Sequence, residues 1–265
     1  MSFEGDCPRK RLQADKEIYM KLNSVIAARS DKTVYRDGDR RVKVFGADYS
    51  KQDVLNEALN QARVEETGLN VPRILEVTMV NGKWAIVTEF IEGQTLSKLM
   101  AENPERMGEY IDLLVDIQLQ IHAKVCPLLG RLKDKLNRKI MFTDLDATSR
   151  YDLHIRLEAM PKHNKVCHGD FHPANIIIAE NGTPYIIDWS HAAQGNASAD
   201  AAITYINLKL SGNEQDAQMY LDTFCEKSGI PKENVRKWIP IAAAAQSLTA
   251  TEQDKATLLS WANEE

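Results

Sequence analysis

His168-Gly-Asp-Phe-His-Pro-Ala-Asn175 leads into Ile176-Ile-Ile-Ala179, Asn181-Gly182 and Tyr185-Ile-Ile-Asp188, closed by Trp189. Asn181-Gly182 supplies the positive φ angles of a tight turn, so the two apolar runs read as a short hairpin. Such an apolar hairpin is expected to be partly buried, with Trp189 in the core. Its ends bring together two carboxylates, Asp170 and Asp188, and one carboxamide, Asn175. Oxygen ligands of this kind suit magnesium, which takes one or two carboxylates and completes its octahedron with water and substrate phosphates. His168 and His172 are four apart, as zinc ligands on a helix are, but Gly169 and Pro173 argue against a helix there. They are expected to hold the loop by hydrogen bonds instead.

Upstream of this hairpin the texture changes. Residues 24–91 carry strand and turn signals. Thr33-Val-Tyr-Arg36, Asp37-Gly38 and Arg41-Val-Lys-Val-Phe45 predict one hairpin. Ile74–Val80, Asn81-Gly82 and Trp84–Ile91 predict a second more strongly. Between them Ser50, with Asp53 three residues on, reads as a helix start, and Gly68 lies near its end. Val54, Leu55, Ala58, Leu59 and Ala62 form its expected apolar stripe. From Pro104 onward helices dominate, with patterns over about 105–125, 143–160, 199–211, 214–228 and 232–261. In the first of these, Ile111, Leu114, Val115, Gln118 and Ile121 recur at helical steps.

Bulk properties bound the class. The chain has 265 residues, 43% hydrophobic and 27% charged, which excludes disordered and collagen-like proteins and allows one large domain or two small ones. Thirty-three basic against 38 acidic residues argue against a general nucleic-acid binder. Arg9-Lys10-Arg11 reads as solvated surface. No stretch approaches the apolar length of a membrane span. The amino terminus opens with acids and lacks an apolar core, so no signal peptide is expected. Cys7, Cys126, Cys167 and Cys225 are far apart with no C-x-x-C pair, which disfavours structural zinc and fits a reducing cytosol.

The spacing of Asp170 and Asn175 repeats the catalytic loop of protein kinases, where the aspartate receives a proton and the asparagine holds a metal. Together with Ile187-Asp-Trp189 and Gly195-Asn-Ala-Ser-Ala-Asp200, the loop resembles the aminoglycoside phosphotransferase and choline kinase group of small-molecule kinases. The sharp resemblance covers about residues 165–205, and element order extends it loosely to most of the chain. It implies an α+β, bilobal protein-kinase-like fold, with a small antiparallel-sheet lobe in 1–91 and a mainly helical lobe in 92–265. It implies ATP and Mg2+ as cofactors and transfer of the γ-phosphoryl group to a small-molecule hydroxyl. Asp170 is then the catalytic acceptor of the hydroxyl proton, and Asn175 and Asp188 are the metal ligands. Lys43, on the second strand, is the phosphate lysine held by Glu57 of the following helix. The backbone of Glu89 and Ile91, in Thr88-Glu-Phe-Ile91, holds the adenine. Asp200 braces the catalytic loop, and Gly93 suits a flexible lobe connection.

Two features depart from that pattern. The segment Ile26-Ala-Ala-Arg-Ser-Asp-Lys-Thr33 has no glycine where the family places a phosphate loop, which leaves Ser30 or Arg29 to contact phosphate beside a repelling Asp31. Arg41 shares the strand face of Lys43, where this fold packs a small or apolar residue over the adenine. These departures keep open a non-catalytic nucleotide-binding pseudokinase or scaffold. A metal-dependent hydrolase built on the same carboxylates is a more distant reading. Residues 1–91 carry a net charge of +1 and residues 92–265 carry −6. An acidic acceptor lobe favours a small, cationic acceptor.

Overall fold

The computed structural model describes residue 22 and residues 24–28, 31–211 and 214–264. Five antiparallel strands come first: β1 (Ser24–Ala28), β2 (Lys32–Asp37), β3 (Arg40–Phe45), β4 (Ile74–Val80) and β5 (Lys83–Glu89), ordered β1-β2-β3-β5-β4. Helix α1 (Lys51–Glu65) lies between β3 and β4 in the chain. Both expected hairpins form. Asn81 and Gly82 have φ of 51° and 77°, the paired positive angles that match strand twist. Ser50 caps α1 by accepting the Asp53 N–H at 3.1 Å. β1 is a strand beyond the two hairpins and pairs with β2.

Helix α1 differs from its apolar stripe in an instructive way. Leu55 and Leu59 are 43% and 47% exposed, whereas Glu57, Asn60 and Gln61 are buried. Val54 and Ala58 pack with Phe45 and Ile86 of the sheet. The polar residues beside them have partners: Gln61 donates to the Pro72 carbonyl at 2.6 Å and Asn60 to the Ser190 carbonyl at 3.2 Å. Period-3.6 reasoning finds the helix but not a face whose burial is satisfied by hydrogen bonds.

The chain leaves the sheet after Glu89 and turns helical. β6 (Gly93–Thr95) and α2 (Leu96–Glu102) are followed by α3 (Met107–His122), α4 (Leu132–Met141) and α5 (Ala147–Ala159). β7 (Lys165–Cys167), β8 (Ile176–Ala179), β9 (Pro184–Ile186) and β10 (Ala193–Gly195) surround the catalytic-loop motif. Helices α6 (Ala197–Leu210), α7 (Glu214–Ser228), α8 (Lys232–Arg236), α9 (Ile239–Ser247) and α10 (Glu252–Ala262) complete the described chain. The pattern over 232–261 is three helices, because Pro240 sits in the first turn of α9 and Thr251 caps α10. Trp189 is fully buried in the main core with Ile111, Leu114 and Ile121. Gly93 is not a flexible joint. It starts β6, which pairs with β8, and a Cβ there would lie 2.2 Å from the Ile178 carbonyl oxygen.

Candidate active site

β7 runs into the loop 168–172, a turn at Pro173–Asn175 follows, and β8 and β9 return the chain to Asp188. Asp200, fully buried near the start of α6, fastens this loop. Its carboxylate accepts the Gly169 N–H at 2.7 Å and the His168 N–H at 3.2 Å, and pairs with His122 Nε2 at 2.9 Å. Burial by itself raises the Asp200 pKa, but the His122 hydrogen bond and charge and the Gly169 N–H hold it below the ordinary value. Gly169 has φ +79° and backs onto the His191 carbonyl, where a Cβ would come within 2.7 Å. His168 is buried and uses both ring nitrogens, donating to the Ile187 carbonyl at 3.0 Å and accepting the Asp170 N–H at 3.3 Å. Burial lowers its pKa, so it is a neutral structural imidazole.

Asp170 projects from this loop with its side chain 35% exposed. Its Oδ1 accepts from Asn207 Nδ2 of α6 at 3.1 Å, and Gln246 of α9 donates to Asn207 Oδ1 at 2.8 Å. Burial raises the Asp170 pKa, but the opposing effects, led by the His172 hydrogen bond, hold it below the ordinary carboxylate value. Asn175 is buried, and its amide nitrogen donates to the Asp170 carbonyl at 2.9 Å and to His172 Nε2 at 3.0 Å. That leaves its Oδ1 with no hydrogen bond among the described residues, and Asn175 lines the adjoining cavity together with Asp188.

Asp188 is left-handed, with φ 65° and ψ 59°, a conformation that aspartate tolerates better than most residues. Lys43 Nζ binds Glu57 on one side and Asp188 Oδ1 at 3.2 Å on the other, and Lys32 Nζ stands 3.8 Å from Asp188 Oδ2. Burial opposes ionisation of Asp188, yet the Lys43 and Lys32 charges hold its carboxyl far below the carboxylate range. A half-buried carboxylate lining the same cavity as an unpartnered amide oxygen is an all-oxygen donor set that fits magnesium.

The cavity has a volume of about 400 Å³ and is walled by Val34, Phe90, Ile177 and Ile187, with Lys32, Arg41 and Lys43 above. Glu89 and Ile91 both line it. The Glu89 N–H donates to the Arg73 carbonyl at 3.0 Å, its carboxylate binds Arg73, and its carbonyl accepts from Thr88 Oγ1 at 3.2 Å. Ile91 N–H has no hydrogen-bond partner among the described residues. Arg41 enters this cavity as its strand face requires. Burial lowers its pKa, against the opposing charges of Asp188 and Glu57. Ser30 and Arg29 lie outside the described residues.

The sequence-predicted Lys43, Glu57, Asn175 and Asp188 thus meet at one place, with Asp170 at its edge. Lys32, Asn207 and Gln246 were not anticipated. No local motif marks them, and the one cue for Asn207 is a polar side chain between Ile206 and Leu208. A further basic group also faces the loop. Lys135 of α4 donates to the Ala192 carbonyl at 2.6 Å, and burial with the Lys139 and Arg138 charges pushes its pKa down to about 8. Burial and Lys139 push His191 down to about 4. The acid excess of residues 92–265 is therefore not concentrated around Asp170.

The chain matches the model of the phosphotransferase enzyme family over residues 24–236. No curated protein matches it by sequence. Solved structures match in fold. A thermostable mutant of aminoglycoside phosphotransferase APH(4)-Ia, in ternary complex with AMP-PNP and hygromycin B, is 15% identical with a TM-score of 0.65, over 89% of this chain and 90% of that one. Choline kinase LicA from Streptococcus pneumoniae is 15% identical with a TM-score of 0.61, over 90% and 92%, and LicA has also been solved with AMP. A choline/ethanolamine kinase family protein from Mesorhizobium loti is 15% identical with a TM-score of 0.57, over 89% and 87%. A kinase-type loop, a lysine–glutamate pair meeting Asp188, and a family match across most of the chain lead to one assignment: the chain belongs to the phosphotransferase enzyme family, and its fold is that of the solved aminoglycoside phosphotransferase and choline kinase structures.

Proposed function

We propose that the protein transfers the γ-phosphoryl group of ATP to a hydroxyl of a small molecule, with residues 1–91 as the nucleotide lobe and residues 92–265 as the catalytic and acceptor lobe. The observation that carries this reading is that Lys43 pairs with Glu57 and Asp188 at a cavity lined by Lys43, Asn175 and Asp188, and that Asn175 is hydrogen-bonded to Asp170. The Glu89 carbonyl and the Ile91 N–H would hold the adenine edge. Lys43, fixed by Glu57, and Lys32 would draw charge from the phosphates. Asn175 Oδ1 and Asp188 would hold magnesium, which when bound neutralises phosphate charge. Asp170 accepts the proton of the acceptor hydroxyl as its oxygen bonds to the γ-phosphorus and the bridging bond to ADP breaks. Positioning and electrostatics then supply the catalysis. The net −6 of residues 92–265 supports a cationic acceptor through long-range attraction. Lys139, within electrostatic reach of Asp170, requires that the cationic part lie away from the reacting hydroxyl.

The test is release of ADP, coupled to an optical readout, across aminoglycosides, choline, amino alcohols and sugars. The wild-type chain is expected to show acceptor-dependent turnover with ATP and Mg2+, and Asp188→Ala to abolish it. Turnover unchanged in Asp188→Ala overturns the assignment. The charged Arg41 in the cavity favours one second reading, a nucleotide-binding protein without catalysis. That reading predicts a thermal shift with ATP and Mg2+ but no ADP release with any acceptor.

A further inference from the structure

A second cavity, of about 450 Å³, lies in the helical part of the molecule and shares no lining residue with the nucleotide cavity. It is enclosed by the end of α3, the α5–β7 connection, the start of α6, and the segment from the end of α7 through α8. Its volume falls in the range of about 300–1,000 Å³ usual for small-molecule sites. The body is apolar, made by Leu119, Met160, Phe224, Ile230 and Trp238. Besides neutral Asn and Ser side chains, the polar lining is basic: His122, His163, Lys165 and Lys237 contribute and no Asp or Glu lines the cavity, although Lys237 pairs with Glu233 at 2.9 Å.

Two independent features lie in the same wall. Residues 196–198, the cap and first turn of the 14-residue helix α6, line the cavity. The Asn196 side chain satisfies the Ser198 N–H at 2.8 Å, but the Ala197 N–H has no partner among the described residues. Such a helix end favours a negative group. His122 is only 3% exposed, its Nε2 is occupied by Asp200, and its Nδ1 has no hydrogen-bond partner among the described residues. A buried ring nitrogen without a partner is costly unless something fills the position. Lys165 beside it donates to the His122 carbonyl at 3.1 Å and makes no ion pair among the described residues. His122, Cys167 and Asp200 lie close together, but Cys167 Sγ donates to the Lys165 and Asn196 carbonyls while His122 Nε2 pairs with Asp200, so their ligand atoms are already engaged in hydrogen bonds.

We propose that this cavity binds a small organic anion, a carboxylate carried on an apolar body, and that His122 and Asp200 transmit its occupancy to the catalytic loop. The carboxylate accepts from Lys165 Nζ, from the Ala197 N–H and from the Nδ1–H of a His122 imidazolium whose Nε2–H stays on Asp200, and the body lies against Leu119, Phe224 and Trp238. Asp200 carries both the His122 contact and the Gly169 and His168 N–H groups, so a ligand that steadies His122 steadies the loop that presents Asp170.

Binding is tested without reference to turnover, so its failure is separate from failure of the kinase reading. Calorimetry uses octanoate against 1-octanol on the full chain, with Trp238 fluorescence as a second signal. Octanoate is expected to bind one to one and about tenfold tighter than octanol, the scale of one charge-assisted hydrogen bond. Ile230→Phe, which fills the cavity, should remove binding. Lys237→Glu, at an exposed position that leaves the fold intact, should weaken octanoate severalfold and leave octanol unchanged. Amide exchange at His168 and Gly169 should slow on octanoate binding. Equal binding of the two probes, absence of saturable octanoate binding, or octanoate affinity unaltered in both variants overturns the site. Unchanged exchange at His168 and Gly169 with octanoate bound overturns the link to the loop.

Discussion

Replacing Asn207 with alanine removes the donor that holds Asp170 Oδ1 at 3.1 Å and leaves the Gln246 amide without its acceptor. A hydrogen bond to a charged group contributes about 1.5–3 kcal/mol. Because the Asp170 side chain keeps 35% of its surface, water replaces part of the loss, and the lower half of that range applies. Losing a donor to the anion disfavours the charged form, so the Asp170 pKa should rise. The anion is the proton-accepting form, so the acid limb of the kcat/KM profile should move to higher pH by the same amount. The same energy, lost from positioning of the carboxylate, lowers kcat/KM about ten- to thirtyfold on the plateau. ATP affinity should not change, because Asn207 does not line the nucleotide cavity. Gln246→Leu keeps Asn207 but releases its amide, and should shift the limb in the same direction by less. The assay is ADP release over a pH series with saturating ATP, beside calorimetric ATP binding. An unmoved acid limb with a rate within about twofold of wild type would refute the role of Asn207, since a difference that small lies below the scale of one lost charged hydrogen bond.

Two further predictions concern charges that burial has made consequential. The Asp200 pKa is depressed in the folded chain, so its ionised form stabilises the fold above the unfolded value near pH 4, and that contribution is lost as pH falls through the folded value. Asp200→Asn should therefore lower the Tm by about 4–8 °C at pH 7, from about 2 kcal/mol of lost hydrogen bonding, and the gap to wild type should shrink as pH falls from about 5 toward 3. A gap independent of pH, measured by differential scanning calorimetry, would contradict it. The half-buried Arg41 guanidinium feels Asp188 and Glu57 and so lies toward the phosphate end of the cavity. Arg41→Ala should raise the KM for ATP about fivefold, equivalent to about 1 kcal/mol, and leave kcat unchanged, the signature of lost uniform binding. A lower KM would mean that Arg41 obstructs the nucleotide.

Local chemistry was legible in the sequence wherever the cause is local. Asn81-Gly82 imposes its turn through positive φ angles that few other residues adopt, and Ser50 with Asp53 starts α1 through a cap that three residues complete. The loop 168–175 could be read because the proposed site draws Asp170, Asn175 and Asp188 from one short stretch of chain. Lys43 and Glu57 were legible only through resemblance, since a lysine on a strand and a glutamate on a helix carry no signal of their own.

What the chain by itself determined is the set of elements and the residues around one hairpin, because turns, caps and short spacings depend on neighbours a few residues away. Only the tertiary structure decided which polar groups those elements bury. Glu57, Asn60 and Gln61 displaced Leu55 and Leu59 from the inner side of α1 because each found a partner on another element. Lys43 meets Asp188 across 145 residues, and Asn207 meets Asp170 across 37. Periodicity counts apolar area, whereas a buried charge or amide is tolerated only where a distant donor or acceptor satisfies it, and that pairing exists only once the chain has closed.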